Sequence, residues 1–302
     1  MLFNYLSMVL MALCWAGAFV VGKLSVGTVP PEMVAFLRFF IAGLVLVVWM
    51  AWKEPQSFRL KKRDWWLVIG LGVTGIAVYN LLFFRGLQYS RASDGAMIIP
   101  TLNPLLTMFV AAMLLGEALT PRKLTGAAIS VVGQVLIFWT LLEVVADDPV
   151  RMRGDLFYVA SSVFWSMYSV LGRVAAQRFT PLAATTWASL SGVLMIAPFA
   201  LWAAPGSTGY TWGFWVDAVY LALGATVAGF VLWSRGVAIL GASRAAVFIN
   251  LVPVFTLLLS SVFLDDRPTA LQVLGICVVL GGVYLSGTRP GEKAPKVQGE
   301  SA

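Results

Sequence analysis

The chain of 302 residues contains no histidine and only two cysteines, Cys14 and Cys277. The lack of histidine removes the commonest general base, proton shuttle and metal ligand of proteins. Because both cysteines lie inside apolar runs, neither a disulfide framework nor a thiolate metal site is expected. An enzyme that works through a nucleophile with a neighbouring base, or through a metal or other cofactor, is therefore not predicted.

Charge is scarce as well. Charged residues make up 12% of the chain and hydrophobic residues 60%, and the mean hydropathy is +0.86. Ordinary globular domains carry about 25% charged residues, and so little charge cannot cover the surface of a soluble protein of this size. An integral membrane protein is predicted. The net charge of +7 is spread over the breaks between apolar runs, which indicates cytoplasmic loops and no nucleic-acid partner.

Ten apolar runs are long enough to cross a hydrocarbon core, which takes about 20 residues of helix. They fall at about 4–23, 33–52, 65–87, 92–115, 122–141, 155–174, 182–203, 213–234, 242–264 and 270–286, and we refer to them as spans 1 to 10. An even number of spans puts both termini on one side. With cytoplasmic termini, fourteen basic residues lie inside and six outside, as the positive-inside rule requires. No basic residue precedes span 1, so a retained span is predicted and not a cleaved signal.

The two halves of the chain resemble each other. A shift of 150 residues aligns Trp15 with Trp165, and "RGLQYSRASDGA" (85–96) with "RGVAILGASRAA" (235–246). Five spans per copy turn the second copy upside down, and the loop charges agree, because five basic residues follow span 2 and none follows span 7. Such inverted repeats are typical of secondary transporters. We predict an all-α membrane protein of two inverted five-helix repeats, 1–145 and 150–288, with a disordered cytoplasmic tail at 289–302.

Three stretches carry a family resemblance: "RFFIAG" in span 2, an Arg-Gly…Ala-Ser…Pro pattern in spans 3–4 and 8–9, and "LGEALTPRKLTGAAISVVGQVLI". They resemble the EamA family of the drug/metabolite transporter superfamily, once in each half. The second half departs from it, because Asp265 and Asp266 replace the Gly-Glu pair. The pattern as a whole is most similar to YddG-type exporters of aromatic amino acids.

The resemblance implies a multi-pass protein of the bacterial inner membrane that exports small amphipathic metabolites, with aromatic or hydrophobic amino acids as the expected substrates. The superfamily also includes exporters of drugs and other metabolites, and carriers of nucleotide sugars and triose phosphates. The substrate and the lipid bilayer are the expected partners.

Mid-span aromatic and polar side chains are the candidates for substrate binding. Trp15 and Trp165 are equivalent by the repeat, and Tyr168 shares a helix face with Trp165. They either pack between helices or form aromatic walls for a flat substrate. Arg38 in span 2 either snorkels to the interface or pairs with a substrate carboxylate. The predicted substrate-binding residues are Trp15, Arg38, Tyr79, Asn80, Met97, Pro100, Asn103, Trp165, Tyr168, Trp187, Phe248 and Asn250.

Prolines and amides mark spans 4 and 9. Pro100, Pro104 and Pro253 each remove a helical hydrogen bond and free a carbonyl that must face protein, water or a ligand. We predict hinges at these prolines, in facing helices that line the substrate path; kinks that only fit neighbouring helices are the alternative. Intramembrane amides commonly bridge helices. Asn80, Asn103 and Asn250 are nevertheless favoured for the cavity, because the last two neighbour the helix breaks.

Spans 5 and 10 have glycines at two-turn spacing, Gly126 with Gly133 and Gly275 with Gly282. Small residues at this spacing indicate tight packing or self-association, so the two spans are candidates for a homodimer interface.

The sequence lacks the GxxxxGK[ST] motif of ATP-driven machines. Its acidic residues lie near span ends and none is at mid-depth, so facilitated transport by alternating access is expected. A proton-coupled exporter that uses Glu32 or Asp217 is the alternative. A channel would display rings of like residues or a filter loop, and the sequence contains neither.

Overall fold

The computed structural model describes residues 2–116, 119, 121–145, 148–204, 208–240, 248–249, 251–266 and 269–287. Every regular element within these residues is helical. The predicted site residue Asn250 and the predicted tail, 289–302, lie outside them, so their roles stay predictions.

Within the described residues, ten helical rods fall at the positions of the ten apolar runs. They are α1 (Leu2–Val26), α2 (Pro31–Lys53), α3 (Trp65–Leu71, Gly72–Val78 and Tyr79–Tyr89 in succession), α4 (Ala92–Leu115), α5 (Pro121–Val145), α6 (Pro149–Ala175), α7 (Pro181–Ala203), α8 (Trp212–Val219, Tyr220–Ala228 and Gly229–Leu240 in succession), α9 (Leu251–Phe263) and α10 (Ala270–Gly287). Two short 3₁₀ turns, Pro55–Phe58 and Lys62–Asp64, join α2 to α3. Within the described residues, six rods are long and apolar enough to cross a membrane: α1, α2, α3, α4, α7 and α8.

Prolines start several of the helices. Pro31, Pro149 and Pro181 each occupy the first helical position of their rods. Proline suits this position because its φ is already helical and the first turn needs no N–H donor. Side chains cap the N-termini of two of these helices. Asp148 accepts a hydrogen bond from the Arg151 N–H at 3.0 Å, and Thr180 accepts one from the Ala183 N–H at 3.1 Å.

A π-helical segment occupies the middle of α3 and of α8, at Gly72–Val78 and Tyr220–Ala228. The 150-residue shift maps one segment onto the other, so the feature belongs to both repeats. A polar side chain in or next to each π segment binds the backbone of that segment. The Thr226 hydroxyl donates to the Leu221 carbonyl at 2.9 Å, and the Asn80 amide donates to the Gly75 and Ile76 carbonyls at 3.1 and 2.9 Å. Such π segments occur frequently at functional sites.

The prolines of α4 do not interrupt it. The helix is continuous from Ala92 to Leu115 with Pro100 and Pro104 inside, and the hydroxyl of Thr101 donates to the Met97 carbonyl. In α9 the equivalent proline, Pro253, is buried inside Leu251–Phe263. The predicted hinges therefore lie within continuous helices, and their movement remains a prediction.

The two sequence halves exchange helices. Helix α1 packs against α8 and α9, and α6 packs against α3 and α4. The first helix of each repeat thus lies against the third and fourth helices of the other repeat. Helices α2 and α7 pack on each other. Each also contacts the other repeat: α2 packs against the π segment of α8, and α7 packs against the π segment of α3. One apolar core consequently contains residues of both halves, among them Phe19, Phe84, Ile196 and Leu221.

Helices α5 and α10 pack side by side within the chain. Gly126, Gly133 and Gly275 are all buried. Tight packing, which the glycine spacing predicts, thus occurs between α5 and α10 of one molecule. Val132 and Trp139 of α5 remain exposed by 57% and 59%. A homodimer through these helices would use such outward apolar positions.

Candidate substrate site

Each of the two equivalent tryptophans packs against the other repeat. The ring of Trp165 in α6 lies 4.8 Å from the ring of Tyr79 in α3, measured between centroids. Trp15 in α1 packs on Gly229 of α8, where an added Cβ would be 2.5 Å from the indole Nε1. The 150-residue shift maps Tyr79 onto Gly229. The two repeats therefore form equivalent contacts, but the residue that packs on the tryptophan is a tyrosine in one contact and a glycine in the other.

A row of aromatic rings extends from the Tyr79–Trp165 contact. Phe83 stacks on Tyr79 at 5.9 Å, and Tyr168 lies 5.3 Å from Trp165. Tyr79 and Tyr168 are both half-buried. Gly75, in the π segment of α3, makes room for the row, because a Cβ there would lie 2.2 Å from the Tyr168 ring.

Arg38 turns into the protein. Its side chain is buried, and its Nε donates to the Thr226 hydroxyl of the α8 π segment at 2.9 Å. The hydroxyls of Tyr79 and Tyr220 lie near enough to interact electrostatically with the guanidinium. Among the described residues no carboxylate lies within ion-pair distance of Arg38. A buried cation without a counter-ion is costly, which makes it a suitable partner for an anionic group of a ligand.

The predicted amides contribute acceptors. Asn80 uses its amide nitrogen on its own helix, and its Oδ1 is buried without a partner in the described structure. Asn103 accepts from the Ser166 hydroxyl through its backbone carbonyl at 3.5 Å, and its Oδ1 likewise lacks a partner there. Each unpaired buried acceptor costs about 1–3 kcal/mol unless water or a ligand satisfies it. Met97, on the same helix as Asn103, is fully buried.

Two predicted site residues lie away from this group. Trp187 donates its indole N–H to the Ser57 carbonyl at 3.0 Å and packs against Phe58, so it fastens α7 to the α2–α3 linker. Phe248 stacks on Tyr5, near the start of α1, at 5.9 Å. The structure therefore brings Arg38, Tyr79, Trp165 and Tyr168 together, while Trp15 occupies the symmetry-related position.

An ionic network joins the repeats at the end of the bundle where α3 finishes and α4 and α6 begin. We call it the outer network, after the side on which the topology proposed below puts it. Arg151 donates to both oxygens of Asp94, from Nε at 2.7 Å and from Nη2 at 2.9 Å. Burial lowers the pKa of Arg151, but the hydrogen bonds and charge of Asp94 outweigh burial and raise it. The Ser90 hydroxyl lies between Asp94 and Asp155, 3.0 Å from Oδ2 of the first and 2.5 Å from Oδ1 of the second.

Further contacts hold the corner between α3 and α4. The ammonium of Lys23 in α1 donates to the carbonyls of Leu87 and Ser90, both at 2.6 Å. After α9, Asp266 accepts from the Ser93 N–H at 3.1 Å and from Arg91 at 3.4 Å. Elements of both repeats thus close this end through charged and polar groups.

The sequence profile of the EamA-like transporter family matches the chain twice, over residues 2–139 and 152–288. The chain belongs to this family. The EamA protein is 31% identical to "Uncharacterized transporter YyaM" of Bacillus subtilis, over 89% of this chain and 88% of that one. It is 25% identical to a probable terminal-alkyne amino-acid exporter of Streptantibioticus cattleyicolor, over 94% of this chain and 93% of that one.

A probable amino-acid metabolite efflux pump of Escherichia coli is 24% identical to the EamA protein, over 92% of each chain. A solved crystal structure has the same fold, with a TM-score of 0.67, 23% identity and coverage of 94% of this chain and 96% of that chain. The EamA protein is therefore a multi-pass membrane transporter of a small molecule.

The repeats of the EamA protein also meet at the end opposite the outer network. Asp64, before α3, accepts from Arg178, after α6, at 2.7 Å, and Thr180 donates to Glu54. These contacts border a cavity of about 370 Å³. Sequence reasoning missed both sets of contacts and the role of Thr226. The one signal that could have identified the outer network is the stretch "RGLQYSRASDGA", because its repeat copy has Leu240 and Arg244 in place of Ser90 and Asp94.

Proposed function

We propose that this EamA transporter exports aromatic or hydrophobic amino acids across the bacterial inner membrane by alternating access, driven by the gradient of the substrate itself. Arg38 is the observation that carries the proposal. Its guanidinium is buried, faces tyrosine hydroxyls and has no acid partner among the described residues. A substrate carboxylate would supply the missing charge through charge-assisted hydrogen bonds.

The rest of an amino acid matches the surroundings of Arg38. Tyr79, Trp165 and Tyr168 would form the wall for an aromatic or apolar side chain, because aromatic rings favour offset or edge contacts with other rings. The unpaired Oδ1 atoms of Asn80 and Asn103 are acceptors of the kind that a substrate ammonium requires. The names of two relatives, an amino-acid exporter and an amino-acid metabolite efflux pump, support the same class.

For the topology we propose ten spans with cytoplasmic termini, arranged as two inverted repeats, 1–145 and 150–288. Three observations support this arrangement: ten rods at the predicted positions, the inside excess of basic residues, and the exchange of α1 and α6 between the halves. Alternating access would rock the group α1, α8, α9 against the group α6, α3, α4 around the substrate, with Pro100, Pro104 and Pro253 as hinges. A homodimer would form through the outward faces of α5 and α10.

The test is exchange of labelled substrate in proteoliposomes that contain the purified protein. Saturable exchange of phenylalanine or tryptophan is expected, with competition by other apolar amino acids. An amine of the same shape that lacks the carboxylate should not compete, because it offers Arg38 no partner. Equal competition by that amine would refute the role of Arg38, and flux that does not saturate would indicate a channel.

A further inference from the structure

The outer network contains one hydroxyl between two acids. The oxygen of Ser90 is 3.0 Å from Oδ2 of Asp94 and 2.5 Å from Oδ1 of Asp155. A hydroxyl has one hydrogen to donate, and an ionised carboxylate can only accept. Ser90 therefore cannot serve both acids if both are ionised.

Asp155 is the acid that has no ion-pair partner among the described residues. Asp94 already receives two hydrogen bonds from Arg151, whereas among the described residues the Asp155 carboxylate is hydrogen-bonded to Ser90 alone. The other oxygen, Oδ2, is buried and has no partner in the described structure, and the residue as a whole is 6% exposed. An ionised carboxylate in this position would leave buried lone pairs unsatisfied.

The nearby cations are all bound to other groups. Arg151 pairs with Asp94, Lys23 donates to two backbone carbonyls, and Arg91 contacts Asp266. The other titratable groups that face this region are Asp148 at the start of α6, Asp266 after α9, and Tyr158, which donates its hydroxyl to the Arg91 carbonyl. These three groups carry no positive charge, and the guanidinium of Arg151, whose charge also acts on Asp155, is already bound in the ion pair with Asp94. A second negative charge beside Asp94 would be disfavoured.

We propose that Asp155 is a proton-binding site of the closed outer end. The protonated carboxyl donates from Oδ1 to the Ser90 oxygen, and Ser90 donates its own hydrogen to Asp94. Each hydrogen in this chain of hydrogen bonds then has an acceptor. The ionised carboxylate of the three residues is Asp94, and its bound cation is Arg151. The proton is held while the outer end is closed and leaves when opening admits water to Asp155.

Close approach of two helices makes this arrangement possible. A Cβ added at Gly154 in α6 would lie 2.5 Å from the Ser90 Cβ and 2.6 Å from the Ser90 nitrogen. Only glycine at 154 lets the start of α6 contact the corner between α3 and α4, and the next residue, Asp155, thereby reaches Ser90. Separation of α6 from that corner would break the proton chain.

The sign of the pH effect follows from the site of binding. Because the closed outer end binds one proton more than the open end, acid on the outside favours closure and alkali favours opening. The population ratio changes by up to about tenfold per pH unit, the limit for one proton. The proton enters and leaves from the same side, so this binding is compatible with transport driven by the substrate gradient. The opening step itself rests on the proposed alternating access.

The first test is an infrared pH titration of the purified protein, which does not require transport. The wild type is expected to show the C=O stretch of a protonated, buried carboxyl that disappears as the pH rises. Asp155→Asn should remove that band. Glu32→Gln, which alters another buried acid at this end, paired with Arg85, should retain it. The same titrating band in Asp155→Asn protein would overturn the proposal.

The second test measures exchange in proteoliposomes while the external pH alone is varied. The wild-type rate should depend on external pH, and Asp155→Asn, which is permanently neutral, should remove the dependence. If Asp155→Asn does not fold, Ser90→Ala replaces it, and a shifted pH midpoint is expected because the acceptor of the proton is gone. An unchanged midpoint would refute the proton chain. A wrong substrate assignment would abolish exchange and leave the infrared titration intact, so the two failures are distinguishable.

Discussion

Trp165 and Tyr79 lie with ring centroids 4.8 Å apart, although one belongs to α6 and the other to α3 of the opposite repeat. The contact exists because α6, the first helix of the second repeat, packs against α3 and α4 of the first repeat. In the other half the same exchange puts Trp15 on Gly229. A pseudo-symmetric scaffold thus has an asymmetric centre, with the phenol of Tyr79 and the cation of Arg38 both supplied by the first repeat.

Removal of either tryptophan should weaken transport of aromatic substrates. Trp165→Ala removes the ring that packs on Tyr79, and Trp15→Ala removes its symmetry mate. Aromatic pairs contribute about 0.5–1.5 kcal/mol, so KM for phenylalanine should rise about twofold to about tenfold. Exchange of labelled phenylalanine is the measurement, with expression and folding checked for each variant. Normal transport by both variants would eliminate the aromatic-cavity hypothesis.

Arg38 should determine the requirement for a carboxylate. Arg38→Ala is expected to raise KM for amino acids about tenfold or more, because it removes hydrogen bonds to a charged group. Thr226→Val keeps the Arg38 guanidinium but removes the hydroxyl that accepts from its Nε, so KM should rise less than in Arg38→Ala. Arg153→Ala, which removes a cation stacked on Tyr89 near the outer end, is the matched control. Wild-type KM in Arg38→Ala would show that the guanidinium does not contact substrate.

The Asp94–Arg151 pair should stabilise the closed outer end. Loss of one partner from a buried ion pair typically costs about 3–5 kcal/mol, so Asp94→Asn or Arg151→Ala should lower the unfolding temperature in detergent. The exchanged pair, Asp94→Arg with Arg151→Asp, should recover part of the loss. Arg178→Ala breaks a more exposed pair at the opposite end and should cost less. Equal losses in Arg178→Ala and Arg151→Ala would contradict the special role of the outer network.

The aromatic row should depend on Gly75. Alanine at 75 would put its Cβ 2.2 Å from the Tyr168 ring, so the ring must move and aromatic exchange should fall. Gly172→Ala is the control, because no atom lies within 4 Å of its added Cβ. That variant should transport normally and gain up to about 1 kcal/mol of stability, the usual benefit of alanine over glycine inside a helix. Full activity in Gly75→Ala would show that Tyr168 can move without functional cost.

Several features could be derived from the order of residues alone. The scarcity of charge predicted a membrane protein, and the described residues of the apolar runs are helical in the structure. The repeat predicted that Trp15 and Trp165 are equivalent, and the EamA-like resemblance is confirmed by the family match. These inferences succeed because a chain in lipid must satisfy its backbone within each helix, so composition and local breakers determine where helices form.

Other features depend on contacts between distant residues. Asp94 and Arg151 are 57 positions apart, Arg38 and Thr226 are 188 apart, and no local pattern indicates either pair. The π segments escaped prediction because GVTGIAV and YLALGATVA are apolar or small at almost every position, so no periodic pattern exists in which a wider turn could be detected. Thus the sequence by itself determined the class, the helices and the repeat. Only the tertiary structure decided that α1 and α6 pack against helices of the other repeat, that Arg38 binds Thr226, and that Ser90 lies between two acids, because these outcomes depend on which helix faces meet.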